Sequence, residues 1–355
     1  MIKEQMNIAE LPAPILANLL LPCSTATVRE IEGINSVHHL NFINNNLPDK
    51  CANLIIADPP YFEVKGAFDF VWEDMKAYLL DVEKWAKECK RLLADNGTLF
   101  WYGHAKNIAY SQVIIDEYFE FENNIAIEFN RQTKKGVELF RCFAPVSERC
   151  LMYSSKYNNY GAEHTFEEFL KPNNPFRKII KNARDKAGLS IIQVAEIGNF
   201  YGKVNHGGAI ANWESGDNVP TKEQWGKLIE IIQISESYED VRTQYEILKI
   251  EYEERRRYFN NFMKLYDIMK FDQEAHITKN FEHDTCKPET LTRALIMTCS
   301  RPNDLVIVPF AGSGTEVAMS IKEGRRAIGF DIESKYVEMS NKRVQAILKK
   351  PELFR

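Results

Sequence analysis

Asp58, Pro59, Pro60 and Tyr61 follow the apolar run Leu54, Ile55, Ile56 and Ala57, and they are the residues of this chain best equipped for chemistry. Two consecutive prolines cannot continue a strand ladder, because each ring removes a backbone donor and restrains the residue before it. The chain must therefore leave the sheet here in a stiff, extended turn. That turn presents one carboxylate and one aromatic ring at the carboxyl end of a strand, where open α/β sheets carry their sites. Asp58 and the Pro59 carbonyl can accept the protons of an NH2 group, and Tyr61 offers a flat face to a base drawn out of its stack. The chemistry that fits is methylation of an exocyclic amine. The bland alternative is a surface turn with a chance acid.

A second group of residues lies far downstream. Residues 304–308 read as a short, buried, parallel strand, because the run is continuously apolar rather than alternating. It leads into Pro309, Phe310, Ala311, Gly312, Ser313, Gly314 and Thr315, and a helix is expected from Glu316 to about residue 322. Glycines at 312 and 314 let the backbone turn tightly and let a ligand lie against the helix start. The next strand, 327–330, ends on Asp331, a carboxylate placed to accept from ribose hydroxyls. A nicotinamide dinucleotide site would call for a small residue at 317, where the chain has Val317.

In this order the two groups resemble the β-class DNA amino-methyltransferases, which use S-adenosylmethionine. The resemblance covers roughly residues 28–150 and 280–345. It takes in Phe68, Asp69, Phe70, Val71 and Trp72 after the tetrad, and Arg91, Leu92 and Leu93 with the turn and strand at 96–100. It also takes in His283, Thr285, Lys287 and Pro288 ahead of the glycine loop. The resemblance implies a doubly wound, Rossmann-like α/β sheet, circularly permuted, with an inserted helical DNA-recognition domain. It implies a cofactor, S-adenosylmethionine, over residues 310–315 with its ribose on Asp331, and Thr285 and Lys287 near its methionine carboxylate. The substrate implied is a flipped adenine in double-stranded DNA, methylated at N6 among Asp58, Pro59, Pro60 and Tyr61. N4-cytosine methylation uses the same geometry, and Asp rather than Ser at position 58 favours adenine. A DNA-binding regulator with a dead catalytic fold is the non-enzymatic alternative, against which the intact tetrad argues. Two positions depart from the family pattern. Val308 stands where an acid usually helps hold the cofactor's ammonium group, a task then expected to fall to Asp58 or to backbone groups. Asp331 replaces a more frequent Glu.

The parts are expected to run as an N-terminal arm over 1–27, a catalytic half over 28–160, an inserted recognition region over 161–275, and a cofactor half over 276–355. Within the insert, residues 175–232 read as a helical module. Phe176, Ile179, Ile180 and Ala183 recur at helical spacing, Gly188 stops that helix, and Ser190 can cap the next. Thr221 opens a last helix with Trp225, Leu228, Ile229 and Ile232 on one face. Trp213, Glu214, Gly216 and Pro220 make the module similar to a repressor-type helix-turn-helix. Lys178, Lys181 and Arg184 are then candidate phosphate contacts, and Asn205 and His206 candidate base readers. Arg131, Lys134 and Lys135 form a second basic stretch. A structural insert with a solvated basic face is the alternative. A long helix at about 236–260 carries Tyr238, Val241, Tyr245, Leu248, Tyr252 and Phe259 as a seam. The seam suits either a homodimer contact or a strut on its own domain, and the strut is favoured.

Composition bounds these readings. At 355 residues and 45% hydrophobic, the chain can bury a full α/β core and still carry an insert. A net charge of −5 does not advertise nucleic-acid binding, yet phosphate contacts need only a local basic face. Seven cysteines with no C-x-x-C pair read as reduced packing residues of a cytosolic protein. No His/Cys cluster has ligand spacing, so no metal is expected. The apolar residues 15–21 are too few to span a bilayer and read as a docking arm, so no membrane partner is expected. Neither the recognition sequence nor a partner nuclease is legible.

Overall fold

A computed structural model describes residues 31–64, 69–129, 147–155, 166–200, 208–271 and 286–349. Thr285, Asn205, His206, Arg131, Lys134 and Lys135 lie outside the described residues, as do Phe68 and His283. The first elements are β1 (Ser36–His39), β2 (Ala52–Ala57), α1 (Met75–Leu92), β3 (Leu93–Gly103), α2 (Ile108–Ile115), β4 (Phe119–Phe129) and β5 (Ser147–Ser155). Six helices follow: α3 (Phe166–Asn173), α4 (Pro175–Ala187), α5 (Ile191–Gly198), α6 (Gly208–Ser215), α7 (Lys222–Ile232) and α8 (Tyr238–Arg255). The last are β6 (Ile268–Phe271), α9 (Glu289–Cys299), β7 (Leu305–Val308), α10 (Thr315–Lys322), β8 (Arg326–Asp331) and α11 (Ser334–Leu348). The chain divides into two compact units, Met1–Asn158 with Arg257–Arg355, and Asn159–Arg256. Residues 257–271 thus lie with the sheet rather than with the insert, as β6 pairs with β4.

The first unit is a mixed α/β fold around one sheet, ordered β1-β8-β7-β2-β3-β5-β4-β6. All its pairings are parallel except those of β5, which runs antiparallel to both β3 and β4. β2 lies between β7 and β3, with Leu54 opposite Val306 and Ile55 opposite Ile307. This adjacency brings residues 58–61 beside the loop that begins at Pro309. Successive side chains of a strand point to opposite faces, so β2 feeds two cores. Ile55 and Ala57 enter one with Val82, Trp85 and Leu99, and Leu54 and Ile56 the other with Leu291, Val306 and Val317. Burial on both faces explains why the run is apolar without alternation. On one face α1 begins with Asp74 accepting from Ala77 N at 2.7 Å and buries Tyr78, Val82, Trp85, Cys89 and Leu92 at helical spacing.

The second unit is helical. Gly188 closes α4 at φ 69°, and Ser190 with Gln193 forms a capping box on α5. Thr221 and Gln224 do the same on α7. Phe176, Ile180, Val194, Ile210, Trp213, Trp225, Leu228 and Val241 make one core. Ile229 departs from the expected stripe, being 38% exposed at its edge. On α8, Val241 is buried in this core and Tyr238 and Tyr245 pack against it, so the first half of its seam is covered from within the unit. Phe259 lies beyond the end of α8 and is exposed. Among the described residues no helix is long and apolar enough to cross a membrane.

Candidate active site

The two prolines after β2 lead into a turn that Asp69 pins from within: its Oδ1 accepts from Tyr61 N at 2.5 Å, and the residue is 1% exposed. The Tyr61 hydroxyl donates to Asp58 Oδ1 at 2.5 Å. Burial first, and then the charges of Asp58 and Glu148, push that phenol well above its usual range, so it remains a donor. The other Asp58 oxygen meets Lys287, whose Nζ lies 2.8 Å from Oδ2. Lys287 is 6% exposed, and its Nζ also lies 3.2 Å from Glu148 Oε2 and 3.3 Å from the Tyr61 hydroxyl. Burial opposes the ammonium charge, but Asp58 and Glu148 outweigh it and hold the group above its ordinary pKa. The sequence reading puts Lys287 at the methionine carboxylate of a cofactor. Its ammonium also meets two carboxylates of the protein. Glu148 escaped that reading because it reaches the site through the antiparallel pairing of β5 with β3 and β4, a register between distant parts of the chain.

Opposite this cluster, β7 runs into the glycine loop. Gly312 has φ 47° and Gly314 φ 71°, both in the left-handed region. A Cβ on Gly314 would sit 2.7 Å from the Ser340 Cβ, so no other residue fits there. Asp331, at the end of β8, accepts from Gly312 N at 2.8 Å through Oδ2 and from Glu333 N at 2.9 Å through Oδ1. The Ser340 hydroxyl donates to Gly312 O at 3.0 Å, and Arg343 donates to Thr315 Oγ1 at 2.9 Å. Phe310 packs edge-on against Trp85 at 5.0 Å between centroids. Thr315 is fully buried behind the loop, its hydroxyl 3.0 Å from that of Ser313. Thr315 and Gly314 therefore shape the loop, while residues 310–313 face open space.

That space is a cavity of about 1170 Å³ lined by residues 58–61, residues 310–313 and Asp331 alike. Seven acidic residues and two lysines are among those lining it, which makes its walls strongly acidic. One of the acids, Glu316, was not singled out from the sequence. It sits in the first turn of α10, 5% exposed, and its Oε1 has no hydrogen-bond partner. Burial, reinforced by Asp58, pushes its carboxyl up to about 7.

In the helical unit, Lys178 and Lys181 are exposed on α4. Arg184 is not a free phosphate contact. Its guanidinium binds both carboxylate oxygens of Glu214, one at 3.0 Å, and donates to Leu189 O at 3.0 Å. The two side chains are only 14% and 9% exposed, so the pair ties α4 to α6. Arg177 joins them by donating to Glu214 O at 2.9 Å.

Over 79 residues the chain is 38% identical to the DNA adenine methyltransferase YhdJ of Escherichia coli K12, a stretch of 22% of this chain and 27% of that protein. Over 69 residues it is 42% identical to the type II methyltransferase M.HinfI of Haemophilus influenzae, 19% of each. The matches thus span about a quarter or less of these curated relatives. The solved M1.HpyAVI–SAM complex aligns with a TM-score of 0.47 and 17% identity, over 87% of this chain and 98% of that one. A family model described as DNA methylase, for the N6/N4 methyltransferases, matches residues 52–342. That match starts at β2, ahead of Asp58, crosses the glycine loop and ends in α11, and the chain belongs to the N6/N4 DNA methylase family.

Proposed function

We propose that the protein transfers a methyl group from S-adenosylmethionine to N6 of a flipped adenine at a specific site in duplex DNA. The observation that carries the reading is the shared cavity, where the carboxylate and ring of residues 58–61 face the same space as the glycine loop. Its acidic walls suit a donor bearing a sulfonium and an ammonium, and would repel a phosphate-rich cofactor. When bound, S-adenosylmethionine supplies an electrophilic methyl group on sulfur. Residues 310–313 hold its adenosine half, and Asp331, which accepts from two backbone N–H groups at the end of β8, accepts from the ribose hydroxyls. Thr285 is proposed for its carboxylate.

Tyr61 stacks on the extruded adenine, and Asp58 and the Pro59 carbonyl accept its amine protons. Those acceptors turn the nitrogen lone pair out of conjugation and toward the methyl group, a contact that strengthens in the transition state. Lys287 pairs with Asp58 through Oδ2, and the Tyr61 hydroxyl, donating to Oδ1, fixes the carboxylate's orientation. Extruding the base costs a few kcal/mol, returned in part by stacking of roughly 1–3 kcal/mol.

The chain order, tetrad strand before glycine-loop strand although the two are sheet neighbours, supports a circularly permuted arrangement. The helical unit is proposed as a helix-turn-helix reader, with Lys178 and Lys181 on phosphates and Asn205 and His206 at base edges. Arg131, Lys134 and Lys135 are proposed as a second phosphate contact. N4-cytosine methylation is the second reading, since the family covers both amines. Digesting DNA treated with the purified protein and S-adenosylmethionine, then resolving the nucleosides by mass spectrometry, tests the reading. N6-methyl-2′-deoxyadenosine is expected. N4-methyl-2′-deoxycytidine would select the second reading, and the absence of both products would overturn both.

A further inference from the structure

Among the acids that line the cavity, Glu148 and Glu316 each have a buried oxygen without a hydrogen-bond partner; that of Glu148 lies 3.2 Å from the Lys287 ammonium, whereas Glu316 makes no ion pair among the described residues. Asp58 is answered by Lys287 and by the Tyr61 hydroxyl. Glu148 is answered by the same ammonium, and Asp331 by two backbone N–H groups. The nearby cations are engaged elsewhere: Lys287 with Asp58 and Glu148, and Arg343 with Glu289 at 2.6 Å and with Thr315. A buried carboxylate oxygen without a donor is costly, and an acidic side chain that only complements a helix start does so from the surface. Its burial on a cavity wall therefore points to a donor brought by the ligand. The neighbouring strand contributes nothing of this kind, because Val308, the last residue of β7, is a buried aliphatic side chain.

We propose that Glu316 binds the α-ammonium group of the methyl donor's amino-acid moiety. The inference rests on the cofactor reading above and deepens it. Charge selects this group over the other donors of such a ligand. Ribose hydroxyls are neutral and have Asp331, whereas an ammonium brings three donors and a full positive charge into a wall where acids outnumber lysines. The Glu316 carboxyl, raised to about 7 by burial and by Asp58, becomes fully ionised once that counter-charge arrives.

Calorimetric titration of the full-length protein and its Glu316→Gln variant tests the assignment with two ligands. S-adenosylhomocysteine carries the ammonium, and 5′-methylthioadenosine keeps the nucleoside and sulfur but lacks the amino acid. Glu316→Gln should weaken S-adenosylhomocysteine at least tenfold and leave 5′-methylthioadenosine within twofold. Thermal unfolding without ligand, at neutral pH or above, should show the variant melting no lower than the wild type, because an unanswered buried charge has been removed. Unchanged affinity for S-adenosylhomocysteine would overturn the assignment, as would an equal loss for both ligands. If the wild type bound neither ligand, the cofactor reading itself would fall, a result distinct from either of those.

Discussion

At the scale of single residues, the site is a set of carboxylates whose states are decided by what faces them. Asp58→Ala should abolish methyl transfer while S-adenosylhomocysteine still binds. The fold should survive because Lys287 keeps Glu148 as its partner in the buried cluster. Residual turnover comparable to wild type in a methylation assay would remove Asp58 from the mechanism. Tyr61 is expected to act through both ring and hydroxyl, since its O–H donates to Asp58. Tyr61→Phe should cost roughly 1 kcal/mol in kcat, the worth of one hydrogen bond. Tyr61→Ala should lose roughly a further 1–3 kcal/mol of stacking. Equal losses in the two variants would mean that the ring is not the platform.

Glu316 makes the cavity pH-sensitive, and the groups that set its state are Asp58, Lys287 and Arg343 together with its own backbone N–H. Its carboxyl ionises at about 7, and a cationic ligand requires the ionised form. Affinity for S-adenosylhomocysteine should therefore rise as pH climbs from about 6 toward 8, where the ligand's own amine starts to lose its proton. Glu316→Gln should flatten that rise in a calorimetric pH series. Folding stability runs the other way. A carboxyl raised above its unfolded pKa contributes stability at low pH, and that contribution is lost as pH rises through about 7. The variant should thus gain on the wild type in melting temperature above neutrality and not at pH 4.

At the scale of elements, Arg184 and Glu214 show how a residue that reads as a surface cation can be a joint. Their side chains bridge α4 and α6, largely out of solvent. Arg184→Ala leaves a buried carboxylate without its partner and should destabilise the protein by about 3 kcal/mol in denaturant unfolding. Ordinary surface behaviour, a change under about 0.5 kcal/mol, would show that the pair is not structural. Lys178 and Lys181 lie exposed on the same helix and are expected to behave differently. Reversing both to Glu should leave stability nearly unchanged, weaken DNA binding on every sequence and reduce its salt dependence. An unaltered salt slope would take this face out of the DNA interface.

At the scale of the whole molecule, chemistry and recognition are expected to separate along the chain. The cavity residues all fall in the sheet-bearing unit, and the proposed reader is the unit Asn159–Arg256. Replacing residues 159–256 by a Gly/Ser linker should spare S-adenosylhomocysteine binding and eliminate preference among DNA sequences in a competition assay. The replacement takes out α8 with the rest of the unit, because Val241 would otherwise lose the core that buries it. Retained sequence preference would assign recognition to the sheet-bearing unit, with Arg131, Lys134 and Lys135 as the leading group.

Features encoded over a few consecutive residues were legible in the chain itself. The Pro-Pro turn after an apolar run, the glycines of the loop after β7, the stop at Gly188 and the cap at Ser190 depend on local backbone preference and on two-sided burial, which composition reports directly. Periodicity was nearly as informative for the helical unit, failing at Ile229, where a stripe edge and a stripe centre have the same residue type. Only the tertiary structure decided which charges meet. Lys287 and Arg184 carry the same side chains whether they face a ligand, a phosphate or a carboxylate. Their partners, Asp58 and Glu148 for one and Glu214 for the other, arrive from distant parts of the chain through sheet register and helix packing. Glu316 was silent for the same reason. An acid in the first turn of a helix is ordinary in sequence, and becomes distinctive only when folding buries its carboxylate on a cavity wall and leaves one oxygen without a donor.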